Sequence, residues 1–399
     1  MSFKSITLMS TAFSFLLIAQ SLAMPDQKEE KTADLSCIQR AQWIAPKDMK
    51  PLDGQQLIKQ AAQQKVVLLG EQHPDAVHHR WQLQTITQLY AHNPNIVIGF
   101  EMFPRRVQPA LDAWIRGELS EHEFLEETDW DDVWKYNADI YLPLFRFARM
   151  NRIPIMALNV ERSLISQVSQ KGWDAVNKDL KEGVQTPRAA HPDYIESLQE
   201  VFSHHSHVSK DEKQSDDRFN RFLQSQLTWD AAMAQKIAEV QKMGGNPLVI
   251  GVMGSGHLSN RHGVPHQLES LGLDSTILLP WTLGWDCNDL SPTYADAIFG
   301  LEEMEEGTDS EKPLLGVRID KNDTPKGVRI DQIIEESVAE DAGLQEGDII
   351  LRAAETDTNS PKELVKIIQR VAPGTWLPLS VQRGEDTLEI LAKFPQVTQ

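Results

Sequence analysis

Five short, continuous apolar runs, separated by amphipathic stretches, constrain the fold of this 399-residue chain more than any other feature. The runs occupy residues 65–69, 95–100, 153–158, 247–252 and 275–279. Runs of this length without polar alternation are typical of strands buried on both faces of a sheet. The amphipathic stretches between them include residues 76–91, 142–151 and 160–243. This alternation predicts an α/β fold, in which a parallel sheet has flanking helices and right-handed crossovers.

Two of the stretches between the predicted strands are too long for simple crossovers. They cover residues 105–150 and 160–243, and we expect them to form a helical insertion over one edge of the sheet. Tryptophans are frequent in this insertion, at Trp114, Trp130, Trp134 and Trp229. Core packing is one explanation for them, and an aromatic pocket for a flat macrocycle is the other.

Polar side chains follow four of the apolar runs, at the point where each predicted strand ends. Glu71 and His73 follow the first run, Glu101 the second, Asn159 the third and His257 the fourth. Because ligands of open parallel sheets bind beyond the carboxyl ends of the strands, we expect these side chains to share a pocket. The alternative is that each residue only forms a turn or caps a helix.

Imidazole nitrogens and carboxylate oxygens together suit a borderline metal ion such as zinc, manganese or iron. His73, His257, Glu71 and Glu101 are therefore candidate metal ligands. If a metal ion activates a water molecule there, Glu71 or Glu101 is the candidate catalytic base of a hydrolase. Arg105 follows the second strand closely and could bind a carboxylate or a haem propionate, although a surface arginine at a helix start is the simpler interpretation.

Charge and cysteine content exclude several classes of protein. The formal net charge is −19, and this argues against a nucleic-acid partner, which requires clustered lysine and arginine. The only cysteines are Cys37 and Cys287, so the chain cannot form a four-cysteine zinc site or a cysteine-ligated iron–sulfur cluster. An oxidising compartment would permit a disulfide bond between them.

The N-terminal segment is typical of export. Lys4 precedes an uncharged stretch at residues 5–25, and small residues at Ser21 and Ala23 predict cleavage after Ala23. The alternative is a retained membrane anchor, because the stretch is nearly long enough to span a bilayer. Cys37 follows a charged segment and does not resemble a lipid-attachment site. We therefore expect a signal peptide at residues 1–23 and a location in the periplasm or cell envelope of a bacterium, with membrane association possible.

Residues 301–312 are acidic and polar, which indicates a linker between a first domain at residues 37–300 and a second at residues 313–396. The second domain has several short strand patterns. It also contains Ser360 followed by Glu363, a capping box that predicts the start of a helix.

This second domain resembles a PDZ domain of the type found in exported bacterial proteases. Leu315-Gly316-Val317 stands where PDZ domains carry the loop that binds a carboxylate, and Ala342-Gly343-Leu344 matches their most recognisable turn. The resemblance implies that a peptide or protein C-terminus adds a strand beside the first strand. The residues assigned to peptide binding on this basis are Leu315, Gly316, Val317, Ile319 and Leu364. The alternative role for such a domain is an internal brace.

The first domain resembles the ChaN family through four ordered motifs, at residues 69–73, 99–103, 226–234 and 254–257. The resemblance implies a bacterial surface or periplasmic protein linked to haem binding and iron uptake. Its cofactor would be haem or a transition metal ion, and its partner a haem or iron source. The residues assigned to cofactor binding are His73, His257, Asn159 and Arg105. The candidate haem ligands are Tyr136, Tyr141, Tyr194 and the histidines at residues 204–207.

Three functions remain open at this point. The first is an exported haem- or iron-binding protein that takes part in uptake or handling. The second follows from the broader group around ChaN, which contains erythromycin esterases and Tiki-type metalloproteases, and is a metal-dependent hydrolase of peptides or esters. The third is an envelope scaffold in which the PDZ domain recruits a partner.

Overall fold

The structure is a computed structural model that describes residues 38–205, 212–303, 313–319 and 327–396. The predicted signal peptide, Cys37 and most of the predicted acidic linker lie outside these ranges. Two sheets account for the described strands, one on each side of the predicted linker.

Eight strands form the first sheet. They are β1 (Trp43–Ala45), β2 (Lys50–Leu52), β3 (Val66–Glu71), β4 (Ile96–Pro104), β5 (Ile155–Asn159), β6 (Leu248–Gly254), β7 (Thr276–Thr282) and β8 (Ala297–Leu301). Their order is β2-β1-β8-β7-β3-β6-β4-β5. All pairs from β8 to β5 are parallel, whereas β1 is antiparallel to β2 and β8. The prediction of a parallel sheet is therefore confirmed, and the five apolar runs correspond to β3, β4, β5, β6 and β7.

The helices of this part of the chain precede, follow and connect the strands. They are α1 (Gly54–Ala61), α2 (Ala76–His92), α3 (Gln108–Arg116), α4 (Glu121–Glu127), α5 (Trp130–Val133), α6 (Leu142–Met150), α7 (Arg162–Lys171), α8 (Pro192–His205), α9 (Glu212–Lys242) and α10 (Val264–Ser270). Local sequence explains where several of them begin and end. The Asp75 carboxylate caps α2 by accepting from two backbone N–H groups, and Gly117 ends α3 in the left-handed conformation.

The first sheet is covered on both faces. Alternate residues of a strand point to opposite faces, so Val67 and Leu69 of β3 enter one apolar core while Val66 and Leu68 enter the other. Ile237 of α9 packs in the second core. Burial on both faces explains why these strands have no polar alternation.

The aromatic residues of the helical insertion divide between the core and the sheet edge. Trp114 and Trp130 are each 1% exposed and pack with Phe103, Phe124 and Phe145. Core packing is therefore the correct interpretation for these two tryptophans.

The second sheet is antiparallel. Its strands are β9 (Val317–Ile319), β10 (Val328–Ile333), β11 (Ile349–Ala353), β12 (Thr356–Asp357), β13 (Trp376–Arg383) and β14 (Asp386–Lys393). The order is β14-β13-β11-β10-β9, with β12 paired to β11, and the two accompanying helices are α11 (Val338–Asp341) and α12 (Pro361–Gln369). The predicted capping box is present, because Ser360 and Glu363 each bond to the other's backbone at the start of α12. The small β-rich unit expected after the linker is confirmed.

No helix in the described part of the chain combines the length and apolar character needed to cross a membrane. Cys287, in the turn between β7 and β8, is disulfide-bonded. The chain's other cysteine, Cys37, lies outside the described residues.

Candidate functional site

The central strands bring the predicted residues to one edge of the first sheet. Glu71 ends β3 and lies opposite Gly254, which ends β6. Glu101 lies on β4, which pairs with β6, and Asn159 ends β5, which pairs with β4. His257 follows β6 in a single helical turn. The parallel topology therefore gathers side chains that are far apart in the sequence.

The first imidazole–carboxylate pair is His73 with Glu71. Nδ1 of His73 lies 2.9 Å from Oε1 of Glu71, a carboxylate that is only 2% exposed. Glu71 also accepts a hydrogen bond from the Tyr141 hydroxyl at 2.8 Å and another from Nε2 of Gln82 at 3.0 Å. Both oxygens of Glu71 are thus engaged. Glu71 orients the His73 ring, and Nε2 is the ring nitrogen that this pairing leaves for a ligand.

The second pair is His257 with Asp230, on α9. Nδ1 of His257 lies 2.6 Å from Oδ1 of Asp230, which is 0% exposed. The Tyr194 hydroxyl donates to the other Asp230 oxygen at 3.1 Å. Glu101 connects this pair to the sheet, because its Oε1 lies 3.4 Å from Nε2 of His257 and its Oε2 accepts from the Gly254 N–H at 2.7 Å.

The buried charges of the site stabilise one another. Burial alone would raise the pKa of Glu101, but the charge and hydrogen bond of His257 lower it to about 2. Burial would lower the pKa of His257, yet Glu101 and Asp230 raise it well above its ordinary value. Against the same effect of burial, the hydrogen bond to Glu71 and the charge of Glu101 raise the pKa of His73. Imidazolium–carboxylate pairs are therefore favoured at this edge of the sheet.

A cavity of about 660 Å³ opens beside these pairs. This volume lies within the usual range of small-molecule sites. The ring of His73 contacts Trp134 and Tyr136, with centroids 4.5 and 5.3 Å away. Trp229 and His257 also line the cavity. Two of the four tryptophans of the insertion, Trp134 and Trp229, therefore belong to an aromatic pocket as well as to the packing around it.

Asn159 connects the ends of two strands at the cavity wall. Its Nδ2 donates to the backbone carbonyl of Glu101 at 3.0 Å, and its Oδ1 accepts from the Val160 N–H at 2.9 Å. The residue lines the cavity, as a cofactor-binding role requires, but its amide is already bonded on both sides. The structure favours a role in shaping the wall.

Arg105 is the one of the four predicted cofactor-binding residues that does not line the cavity. Its guanidinium donates to the backbone carbonyls of Glu182 at 2.7 Å and Ala232 at 3.1 Å, so it links two parts of the helical insertion. The neighbouring Arg106 lines the cavity, together with Arg162. Arg105 precedes Arg106 in a tight helical turn, and adjacent side chains in such a turn point in different directions.

The candidate tyrosine ligands differ in their accessibility. Tyr141 is 0% exposed and Tyr194 is 4% exposed, and each hydroxyl is hydrogen-bonded to a buried carboxylate. Burial, together with that neighbouring carboxylate, raises the pKa of both phenols, so both stay protonated. Tyr136 is 37% exposed and lines the cavity. The histidines at residues 204–207 lie outside the side chains that the structure describes.

The four predicted metal ligands already serve as partners for other groups. The Glu71 oxygens contact His73, Gln82 and Tyr141. The Glu101 oxygens contact the Gly254 N–H and His257. Among the described residues, the one group of three or more acidic or histidine side chains whose donor atoms lie within 4.8 Å of one another is elsewhere, on the surface. A metal ion held by His73, His257, Glu71 and Glu101 remains a prediction.

The same contacts bear on the predicted hydrolase. Glu71 is deeply buried with both oxygens engaged, and Glu101, with a pKa of about 2, is a weak base near neutral pH. Of the two carboxylates, Glu101 lines the cavity and Glu71 does not. The metal-dependent hydrolase therefore remains a prediction.

A second, smaller cavity of about 140 Å³ lies between β9 and α12 in the second sheet's domain. Leu315, Gly316, Val317 and Ile319 line one side, and Leu364 lines the other, which is the whole set predicted for peptide binding. Among the described strands β9 is at the edge of its sheet. It is therefore free to pair with an added strand.

Sequence reasoning missed the carboxylate that holds His257. Asp230 lies within the segment at residues 226–234 that carries the family resemblance, but it was given no role. The sequence feature that could have identified Asp230 is its position directly before the buried residues Ala231, Ala232 and Met233 of α9. A fully buried aspartate requires a partner, and the sequence could have posed that question without identifying the partner.

Glu101 gives a pH-dependence prediction. Its pKa falls from an ordinary 4.5 in the unfolded chain to about 2 in the folded protein. This difference stabilises the fold by about 3 kcal/mol above pH 4.5, and the contribution is lost as the pH falls towards 2. We expect the free energy of unfolding of Glu101→Gln to fall less steeply than that of the wild type as the pH falls over that range. Urea unfolding at a series of pH values measures both. Parallel curves for the two proteins would contradict this assignment.

Comparison with known sequences gives two matches. Residues 57–268 match the family described as haem-binding uptake, Tiki superfamily, ChaN. Residues 313–393 match the PDZ domain family. No curated protein matches the chain.

Comparison with solved structures gives the following similarities. The structure reporting cofacial haem binding to ChaN of Campylobacter jejuni aligns with a TM-score of 0.50 and 16% identity, covering 65% of this chain and 98% of that one. At this identity the likeness shows the fold alone. The HtrA3 PDZ domain bound to a phage-derived ligand aligns with 25% identity and a TM-score of 0.18, covering 20% of this chain and 82% of that one. A serine endoprotease from Yersinia pestis aligns with 23% identity and a TM-score of 0.17, covering 21% of this chain and 30% of that one.

Proposed function

Because the chain belongs to the ChaN family of haem-binding uptake proteins in the Tiki superfamily, we propose that it binds haem in the cavity beside His73 and His257. In this proposal residues 37–300 form the haem-binding domain and residues 301–312 a linker. Residues 313–396 form a PDZ domain that captures a peptide C-terminus. The observation that carries the proposal is an aromatic-walled cavity of about 660 Å³ with imidazole and phenol groups on its surface.

The residues of the cavity fit a haem group. Trp134, Tyr136 and Trp229 supply flat apolar surface for a macrocycle. Bound haem supplies an iron centre that imidazole or phenolate can coordinate.

Two side chains are candidates to hold the iron. Tyr136 is the tyrosine of the predicted set that reaches the cavity surface, since Tyr141 and Tyr194 are buried and bonded to carboxylates. His73 offers Nε2, because Glu71 holds its other nitrogen. The carboxylate increases the basicity of the imidazole and fixes its orientation.

The arginines at the cavity are candidates for the haem propionates. Arg106 is exposed and lies 2.7 Å from both Asp129 and Glu161. Arg162 donates to the Val133 carbonyl at 2.6 Å. Both guanidinium groups therefore already have partners, and a propionate would share them. In this proposal the two arginines orient the haem and add little to the strength of binding.

The proposal is tested by titrating the purified chain with haemin and recording the visible spectrum. We expect a Soret band shift that saturates at a defined stoichiometry. The Campylobacter jejuni protein binds haem cofacially, so the number of haems per chain and the mass of the complex are both informative. A titration indistinguishable from that of an unrelated acidic protein would remove the proposal.

We further propose that the protein is exported to the periplasm or cell envelope and takes part in haem or iron uptake or handling. The N-terminal pattern with cleavage after Ala23 supports export. A disulfide-bonded Cys287 supports it as well, because such bonds persist in oxidising compartments. Mass spectrometry of the protein from the envelope fraction would test the cleavage site, and a chain that begins at Met1 would contradict it.

The PDZ groove supports a preference for apolar C-termini. Apart from Gln369, the side chains that line it are apolar. The backbone around Gly316, which adopts a left-handed φ of 82°, forms the loop where the terminal carboxylate would bind. We propose that the last residue of the ligand is a large apolar one.

Val365→Glu tests this groove with little risk to folding. Val365 is 40% exposed on α12 and lines the groove, so a charge there should weaken binding at least tenfold without loss of the core. Fluorescence polarisation with a C-terminal peptide library would identify a binder and then measure both proteins. Lys362→Glu, an exposed change on the same helix, is the matched control. Equal weakening by both changes would indicate a general charge effect and contradict binding in this groove.

A further inference from the structure

A cluster of three potential ligands lies on the surface outside the haem-binding cavity. His191 and Asp193 lie at the start of α8, and His262 precedes α10. One donor atom from each side chain lies within 4.8 Å of the others. The rings of His191 and His262 are stacked at a centroid distance of 5.0 Å and an angle of 9°. Two imidazoles and a carboxylate therefore meet although His262 is far from the other two in the sequence.

The two segments that carry these residues are fastened together. Next to the cluster, Gln267 of α10 accepts from the Arg188 N–H at 2.9 Å and donates to the Arg188 carbonyl at 3.0 Å. Nε2 of His266 lies 2.8 Å from the Ala189 carbonyl. These contacts hold the backbone before His191 against α10. The approach of His191 to His262 is thus fixed by contacts between side chains of α10 and the backbone of residues 188 and 189.

Buried contacts also position the first turn of α8. Tyr194 is 4% exposed, and its hydroxyl donates to Asp230 at 3.1 Å. Its ring centroid lies 6.0 Å from that of His262. Asp193 precedes this anchored residue, so the carboxylate emerges at the surface next to both imidazoles. Preorganisation of this kind lowers the entropic cost of binding an ion.

The chemistry of the donor set identifies the class of ion. Two imidazole nitrogens and one carboxylate oxygen suit a borderline divalent transition-metal ion, and they are poor ligands for calcium or magnesium. Three protein ligands leave a coordination position open to water. The simpler interpretation is that these are solvated surface histidines. That interpretation does not explain why two imidazoles and a carboxylate from separate segments lie so close together.

We propose that His191, Asp193 and His262 form a binding site for a divalent transition-metal ion, with zinc as the probe to be used. The site shares no residue with the haem-binding cavity, and its existence does not depend on haem binding. It lies next to Tyr194, which holds the Asp230 partner of His257. The path from the surface cluster to the cavity therefore runs through Tyr194, Asp230 and His257.

Isothermal titration of the full chain with zinc chloride, without haem, tests the proposal. We expect one saturable zinc site per chain, with affinity reduced at least tenfold in His262→Ala and in Asp193→Asn. A cobalt titration should give a visible d–d spectrum that the same variants lose. His122→Ala is the matched control, because His122 is an exposed histidine 3.4 Å from a glutamate but with no third ligand, and it should bind zinc as the wild type does.

Circular dichroism separates loss of binding from loss of folding, and His262→Gln provides a second variant of similar size. Absence of saturable zinc binding in the wild type would overturn the proposal. Zinc binding that persists unchanged in folded His262→Ala and Asp193→Asn would also overturn it, because the ion would then be bound elsewhere.

Discussion

Replacing Asp230 by alanine lowers the free energy of unfolding by about 4 kcal/mol at neutral pH, in our expectation, because it removes one partner of a buried ion pair. Asp230 is 0% exposed and lies 2.6 Å from Nδ1 of His257. Its loss leaves the Tyr194 hydroxyl without its acceptor and His257 with Glu101 alone. Burial raises the pKa of Asp230, so the carboxylate depends on His257 and the Tyr194 hydroxyl to stay charged.

Urea unfolding at pH 7 measures this effect, and two further variants define its cause. Asp230→Asn keeps the shape of the side chain and an acceptor for Tyr194, so it should recover part of the loss. Asp112→Ala changes an exposed aspartate on α3 and should alter stability by less than about 1 kcal/mol. A similarly small change in Asp230→Ala would show that the pair with His257 contributes little, and would contradict this description of the site.

The second large effect concerns haem. We expect Tyr136→Phe or His73→Ala to weaken haemin binding at least tenfold and to shift the Soret band, because in our proposal one of these side chains coordinates the iron. The variant whose Soret band shifts identifies the iron ligand. The other variant alters only the cavity wall, so it should change the affinity with little change in the band position. Absorption titration with haemin measures both quantities.

Matched controls for this prediction lie outside the cavity. Tyr90→Phe removes the hydroxyl of a tyrosine whose ring packs against Phe147, and His122→Ala removes an exposed imidazole. Both should bind haemin as the wild type does. Unchanged affinity and spectrum in Tyr136→Phe, in His73→Ala and in the double variant would exclude both residues as iron ligands.

The central sheet could be predicted from the sequence because burial on both faces removes polar alternation from its strands. The outer strands could not. β1 and β2 have three residues each, and β2 is largely exposed, so neither produces an apolar run. β1 pairs antiparallel with β8, a contact between the two ends of the domain that no local pattern encodes, and β2 joins the sheet through β1.

The site was predictable where it follows from topology and unpredictable where it depends on side-chain direction. Parallel strands must bring Glu71, Glu101 and His257 to the same edge, so the prediction required only the strands. Asp230 reaches His257 from the middle of α9, whose position over the sheet is a tertiary feature. The orientation of Arg105 depends on the backbone carbonyls of Glu182 and Ala232, which lie in distant segments. No local sequence pattern predicts these contacts.

A crystal structure of the haemin complex, with anomalous diffraction measured at the iron absorption edge, tests the central claim most directly. The proposal predicts an iron peak inside the cavity, bonded to Tyr136 or to Nε2 of His73. An iron peak outside the cavity, whether at the surface cluster of His191 and His262 or at the histidines of residues 204–207, would contradict it.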